Sequence, residues 1–245
     1  MKTVTIHSYR GGTGKTSITL NLAEYLANMG KKICLIDFDL RSPALLSYFG
    51  AKPRYYINDY LEERCRDIED VLVNIDGFND NLYLAFASPD MKHIKESMKT
   101  DRTKQMKILN RILNGRDALK DKMDYLLFDT APGVRYSSTN AIVSSDFVIL
   151  ILTPDRSDID GTKRMIDEIH EIIEMPRYLV LNKVPKDIED NTIKEVESVL
   201  NHSVMATIPC DCEIMKLRGV KTVYSTNPSH SFLKAVKTVA NQLFL

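Results

Sequence analysis

Apolar runs alternate with helix-period patterns along most of this chain. TVTIHS (Thr3 to Ser8) alternates as a half-buried strand does. In ITLNLAEYLANMG, Ile18, Leu22, Tyr25, Leu26 and Met29 fall on one helical face, and Gly30 is placed to stop the helix. ICLIDFDLRSP (Ile33 to Pro43) begins as an apolar strand, and NLYLAFASP (Asn81 to Pro89) reads as a strand ending in a turn. YLLFDTAPG (Tyr125 to Gly133) opens on another buried strand, and AIVSSDFVILILTPD gives a helix and a strand from Phe147 to Thr153. RYLVLNKVP is a strand ending at Asn182, VMATIP leads to Pro209, and His230 to Leu243 reads as a last packing helix. That helix carries Phe232, Leu233, Val236, Val239, Ala240 and Leu243. Between these elements, YINDYLEERCRDIEDVLVNI predicts mostly helix. The alternation predicts an α/β fold, one domain over residues 1–245, with a mainly parallel twisted sheet flanked by helices on both faces.

Composition changes this picture little. The chain is 44% hydrophobic and 27% charged, enough to bury a core and too apolar for a disordered segment. Lys and Arg number 33 and so do Asp and Glu, so global charge makes no case for nucleic acid or a membrane. No signal-like opening and no 18-residue apolar stretch occurs, and four cysteines suit a reducing compartment, so the expected location is the cytoplasm. Charge does cluster locally. From Lys92 to Lys122 ten Lys or Arg stand against four acids, with Met106, Leu109 and Leu113 at helical spacing. Such a run is first a solvated face of an amphipathic helix. The alternative is a docking surface for an acidic partner, DNA or anionic lipid.

The candidate chemistry centres on YRGGTGKTS (Tyr9 to Ser17), between the first strand and the first helix. Gly11, Gly12 and Gly14 let backbone N–H groups turn inward around anionic oxygens, and the helix N-terminus adds positive potential. Gly11, Gly12, Thr13, Gly14, Lys15, Thr16 and Ser17 are thus the expected phosphate-binding segment of a P-loop NTPase. Lys15 is expected to reach the β- and γ-phosphates, and the Thr16 hydroxyl to bind Mg²⁺. The bland alternative is a glycine turn before a helix. The loop departs from GxxxxGK[ST] in having Tyr9 where the template has glycine.

Asp37 and Asp39 close the second strand at its C-terminal end, where open α/β sheets place ligands. Alternation puts both on one face, beside the loop if the first two strands lie near each other; otherwise they only end a strand and cap a turn. Asp129 is the expected acid that holds Mg²⁺ through water, and TAPGVRYSS after it is the expected γ-phosphate-sensitive loop. Asn182 offers a donor and an acceptor suited to an adenine edge. Pro185 stands where guanine readers place an acid, which favours ATP over GTP. Cys210 and Cys212 form a Cys-x-Cys pair, weak as a zinc signal without further ligands.

A basic residue directly before the paired glycines, together with IDFD and DTAPG, resembles the MinD/ParA/Mrp family of deviant Walker A ATPases. The resemblance covers almost the whole chain, at residues 9–17, 35–43, 125–133, 179–183 and 208–211, and is weakest from 51 to 124. It implies that Arg10 stands where the family has a signature lysine, which reaches across a two-fold interface to the partner's nucleotide. It further implies that Asp39 positions the attacking water and Asp37 supports the magnesium shell. Asn182 would contact adenine, Pro209 to Asp211 would flank it, and the loop of Asp155 and Arg156 would border the dimer interface. The implied function is a slow Mg²⁺-ATPase, stimulated by a protein partner, dimeric in ATP and monomeric in ADP, that positions a cargo. Only two residues follow Leu243, leaving nothing for the membrane-binding C-terminal helix that MinD members carry. Two other readings stay open. One is a metallocentre maturation ATPase using Cys210 and Cys212. The other is a bacterial-type tyrosine kinase, suggested by DLRSP but not by the C-terminus, where Tyr224 is the last tyrosine.

Overall fold

Eight strands form one sheet in the order β3-β4-β2-β5-β1-β6-β7-β8 in the computed structural model, which describes residues 1–99, 101–170, 173–185 and 189–245. The strands are β1 (Lys2–His7), β2 (Ile33–Phe38), β3 (Leu72–Asn74), β4 (Leu82–Ala85), β5 (Tyr125–Thr130), β6 (Phe147–Leu152), β7 (Arg177–Val184) and β8 (Val204–Pro209). Every neighbouring pair is parallel except β3 with β4. From β1 the chain first builds outward on one side (β2, β4) and later on the other (β6, β7, β8). The loop after β1 therefore leaves the sheet where the strand order reverses, the place open α/β sheets offer to ligands.

Side-chain alternation divides the core between two layers of helices. Val4, Ile6, Leu35, Leu127, Ile149 and Val180 face α1 (Lys15–Asn28) and the C-terminal helix Phe232–Leu243. The opposite face is covered in two patches. Ile36, Phe38, Leu126 and Phe128 pack on α3 (Ile57–Leu61) and α5 (Arg102–Leu119), and Val148, Leu150, Leu179 and Leu181 pack on α7 (Arg156–Met165) and α8 (Glu189–Leu200). Short helices α2 (Leu45–Phe49), α4 (Met91–Met98) and α6 (Tyr136–Val143) follow β2, β4 and β5, and α9 (Cys212–Lys216) and α10 (Val223–Thr226) lead to α11 (Phe232–Leu243). The expected α/β sheet with helices on both faces is present.

Two expectations are corrected, and the condition set on Asp37 and Asp39 is decided. Strands β1 and β2 are not neighbours, because β5 lies between them and pairs with both. Helix α1 is not a one-sided amphipath. Thr19, Asn21 and Glu24 are as buried as Ile18 and Leu22, Thr19 beside Asp129 and the other two bonded to Tyr224 and Thr222 at α10, whereas Met29 is 53% exposed. The stretch read as mostly helix from Tyr56 to Ile75 holds α3, a 3₁₀ turn (Ile68–Val71) and strand β3. Glu63 adopts φ 58°, a left-handed conformation that ends α3.

Helix α5 exists, but its inward face is Ile108, Ile112, Gly115 and Leu119, while Met106 is 52% exposed. A Cβ on Gly115 would stand 2.9 Å from the Tyr60 hydroxyl, so the glycine is what lets α3 and α5 approach. Much of the basic surplus is spent internally. Arg111 stacks 3.8 Å over the Tyr60 ring and donates to the carbonyls of Tyr60, Cys65 and Arg66. Lys104 pairs with Glu62, Lys122 with Glu69, and Arg116 donates to the Ser144 carbonyl. Lys92, Lys95, Lys99 and Arg102 are exposed; residue 100 of this stretch lies outside the described residues.

Glu24 carries a pH-dependent share of stability. Burial pushes its carboxyl up to about 7, against the hydrogen bond from the Thr222 hydroxyl. The folded state thus holds a proton that the unfolded chain has released. This contribution is full below pH 4.5 and lost as pH rises through about 7. Glu24→Gln should flatten about 3 kcal/mol of the decline over that window and leave the variant more stable than wild type at pH 8. Denaturant titrations at pH 5 and pH 8 check this; parallel profiles for the two proteins would refute it.

Candidate functional site

The loop after β1 reaches α1 through two left-handed glycines, Gly12 (φ 79°) and Gly14 (φ 92°). Gly14 is the N-cap of α1; among the described residues no side chain caps that end, and its first turn holds no acid. Its free N–H groups therefore point into the cleft as an anion site. Below them Lys15 and Thr16 converge on Asp129 at the end of β5. Lys15 Nζ lies 3.3 Å from Asp129 Oδ1, and the Thr16 hydroxyl donates to Oδ2 at 2.7 Å. Both Lys15 and Asp129 are buried.

Strand β7 fastens the loop from outside. Asn182 Nδ2 donates to the Thr13 carbonyl and Lys183 Nζ to the Gly12 carbonyl, each at 2.7 Å. A Cβ on Gly14 would lie 2.2 Å from Asn182 Nδ2, so glycine is required there twice over, by conformation and by space. The Asn182 amide, expected to read a base, is here bonded to the loop, and its Oδ1 accepts from the Lys183 N–H at 2.9 Å. Tyr9, the departure from the loop template, lies against α7: a Cβ on Gly161 would meet its ring at 1.9 Å. Gly161→Ala should therefore displace Tyr9 and cost about 1–3 kcal/mol by overpacking, measured by urea unfolding. A variant as stable as wild type would show that this contact yields freely.

The two β2 acids have different surroundings. Asp37 is opposite Asp129 in the strand register and buried. Burial, and secondly the Asp129 charge, push its carboxyl up to about 8, although it accepts from the N–H groups of Leu45 and Asp39. Asp39 is half-buried and lines the cleft; burial raises its carboxyl, against the pull of Lys15. Arg10 turns toward α7, where Nη1 donates to Asp155 Oδ1 at 2.8 Å and to the Ser157 hydroxyl at 2.6 Å. Asp155 also caps α7, and its carboxyl is lowered first by the Ser157 hydroxyl.

The cleft has a volume of about 440 Å³ and runs from Ser8 and Arg10 through Ser17 to Asp39, Ser42 and Pro132. Arg41 and Arg135 also line it; neither was singled out as a site residue from the sequence, although Arg135 lies in the loop expected to respond to the γ-phosphate. Each follows a candidate acid within a few residues, and that spacing is the signal that was available. Pro209 and Asp211 do not line this cleft; Asp211 caps α9 and stands 3.4 Å from His230 Nε2. Cys210 and Cys212 are exposed free thiols, and no group of three His, Cys, Asp or Glu able to hold a metal occurs among the described residues.

Comparison with known proteins places this geometry. A family described as "AAA domain" matches residues 1–182. The septum site-determining protein MinD of Synechocystis sp. is 31% identical over 203 residues, which cover 81% of this chain and 71% of that protein. The family is thereby decided. This chain belongs to the MinD/ParA family of P-loop ATPases. MinD of Bacillus subtilis is 29% identical over 248 residues, covering 98% of this chain and 88% of that protein. The structure of MinD from Pyrococcus horikoshii, complexed with Mg-ADP, superposes with a TM-score of 0.80 at 23% identity over 99% of this chain and 96% of that one.

The family match ends at Asn182, so it takes in every residue that lines the phosphate cleft and stops short of Pro209 to Asp211. Within that span the donors suit a hard cation. The Thr16 hydroxyl and the Asp129 carboxylate meet at 2.7 Å with Asp37 across the register, an all-oxygen set of the kind Mg²⁺ takes beside phosphates. Thr13 Oγ1 is buried at the same loop and has no hydrogen-bond partner among the described residues.

Proposed function

We propose that this chain is a Mg²⁺-dependent ATPase that works as an ATP-driven dimerisation switch and positions a cargo or partner assembly. The observation that carries the reading is the convergence of Lys15 and Thr16 on Asp129 beneath an uncapped helix N-terminus. The relatives' name, septum site-determining protein, supports a positioning role. The Mg-ADP of the Pyrococcus horikoshii structure supports the choice of nucleotide and metal. One ATPase domain spans residues 1–245. Turnover is slow and raised by a protein partner, and four free thiols suit action in the cytoplasm.

In this reading Gly11, Gly12, Thr13, Gly14 and Ser17 surround the phosphates with N–H groups, and Lys15 supplies charge to the β- and γ-oxygens. Thr16 and Asp129 would hold Mg²⁺, with Asp37 and Asp39 behind them, and the charge neutralisation it would supply falls on the phosphates. Asp39 orients the attacking water. Asn182 and the Pro209 to Asp211 segment border the base. Arg10 exchanges its contacts with Asp155 and Ser157 for the phosphates of the partner subunit's nucleotide. Exposed Lys92, Lys95, Lys99 and Arg102 leave a basic surface for DNA or anionic lipid.

The purified protein should hydrolyse ATP with Mg²⁺ and stop when EDTA removes the metal. Absence of both ATP binding and turnover in saturating Mg²⁺ would refute the enzymatic reading.

A further inference from the structure

A second cavity adjoins the phosphate cleft, and Arg41 and Arg135 line both. It lies between α4, α5 and the loops that follow Asp39 and Asp129, with Leu40, His93, Gln105 and Asn140 in its walls. Its volume of about 40 Å³ exceeds what one buried water needs.

Three observations give this cavity a chemistry. Arg64 Nη1 lies 3.1 Å from His93 Nε2, and a guanidinium has only donors, so Nε2 accepts and the ring proton sits on Nδ1. That Nδ1 is buried and has no hydrogen-bond partner among the described residues. The Arg41 guanidinium makes no hydrogen bond among the described residues, and Arg135 uses only Nε, donating to the Pro132 carbonyl at 3.2 Å. The acids in the wall are already matched, Glu62 by Lys104 and Glu96 by Arg64. The site thus combines unused donors and positive charge, which suits a small oxyanion.

We propose that this cavity is a subsite for inorganic phosphate, with Arg41 and Arg135 as the gate it shares with the nucleotide cleft and His93 Nδ1–H as the inner donor. It rests on the ATPase reading above for one of its two sources, the cleaved γ-phosphate; the other is phosphate from solution. Both present the same tetrahedral oxyanion.

The test loads the wild-type protein with Mg²⁺ and a non-hydrolysable ATP analogue, which fills the phosphate loop, and then titrates inorganic phosphate by calorimetry. Phosphate should still bind. His93→Leu should weaken it at least tenfold, and His93→Asn, which keeps an N–H donor at the δ position, should restore it. Thermal unfolding checks that each variant is folded. No phosphate binding to the loaded protein, or equal binding by His93→Leu, overturns the proposal. Single-turnover hydrolysis with a phosphate reporter then separates the sources. A lag between cleavage and release that His93→Leu shortens assigns the cleaved phosphate; binding with no lag assigns phosphate from solution, with the site upheld. If the analogue itself fails to bind, the nucleotide reading falls, and the same titration on Lys15→Ala decides the cavity alone.

Discussion

Asp39→Ala should stall the protein in its ATP-bound state, with turnover lowered by about 100-fold or more and ATP affinity changed by less than about twofold. Asp39 lines the cleft but, among the described residues, bonds only to the backbone of its own turn, accepting from Ser42, so its loss leaves the Thr16–Asp129 pair intact. If the ATP state is a sandwich of two subunits, this variant should accumulate as a dimer in ATP and stay monomeric in ADP. Adding Arg10→Ala should dissolve that dimer, because facing phosphates then lose one counter-charge per site. Asp155→Ala should act in the opposite sense, since it frees Arg10 from its contact on the same subunit. Light scattering in each nucleotide reads all three. An Asp39→Ala protein that remains monomeric in ATP would sink the switch, and a dimer that survives loss of Arg10 would remove that arginine from it.

Lys15→Ala should abolish ATP binding and also weaken the nucleotide-free fold. The ammonium is the cation beside Asp129, and both groups are buried. Without it Asp129 keeps, among the described residues, only the hydroxyls of Thr16 and Thr19, an uncompensated buried charge that costs about 3 kcal/mol. Thermal unfolding separates the two effects. The variant should melt earlier than wild type and show no upward shift on adding Mg²⁺ and ATP. A wild-type shift would mean that the loop binds phosphate without this lysine.

What the sequence disclosed was local. Apolar runs located the strands except β3, which lay in a stretch read as helix, and Lys15 and Asp39, which follow strand C-terminal ends, line one cleft with Asp129 beside Lys15. What it hid was non-local. Nothing within β1 or β2 announces that β5 will pair between them, yet that insertion is what sets Asp37 against Asp129. On α5 the apolar letters Met106, Leu109 and Leu113 suggested the wrong stripe, because the true contact depends on Gly115, a residue that contributes space instead of surface. Charge was misread for a related reason. Arg111 looks like solvated basic surface until the carbonyls of Tyr60, Cys65 and Arg66 are found around it. Arg41 and Arg135 were not singled out, even though the loop holding Arg135 was expected to follow the γ-phosphate, because no periodicity in a loop says which way a side chain faces.

The clasp that β7 places on Thr13 and Gly12 bears on rates. A phosphate-binding segment held in shape before its ligand arrives loses little conformational freedom on binding, so capture should be limited by diffusion and electrostatic attraction, not by folding of the loop. Such a rigid receptor is equally ready for ATP and ADP. Discrimination between them then has to be generated where the backbone is free to respond, in the segments beyond Asp39 and Asp129, and the lifetime of each state becomes a property of those two segments.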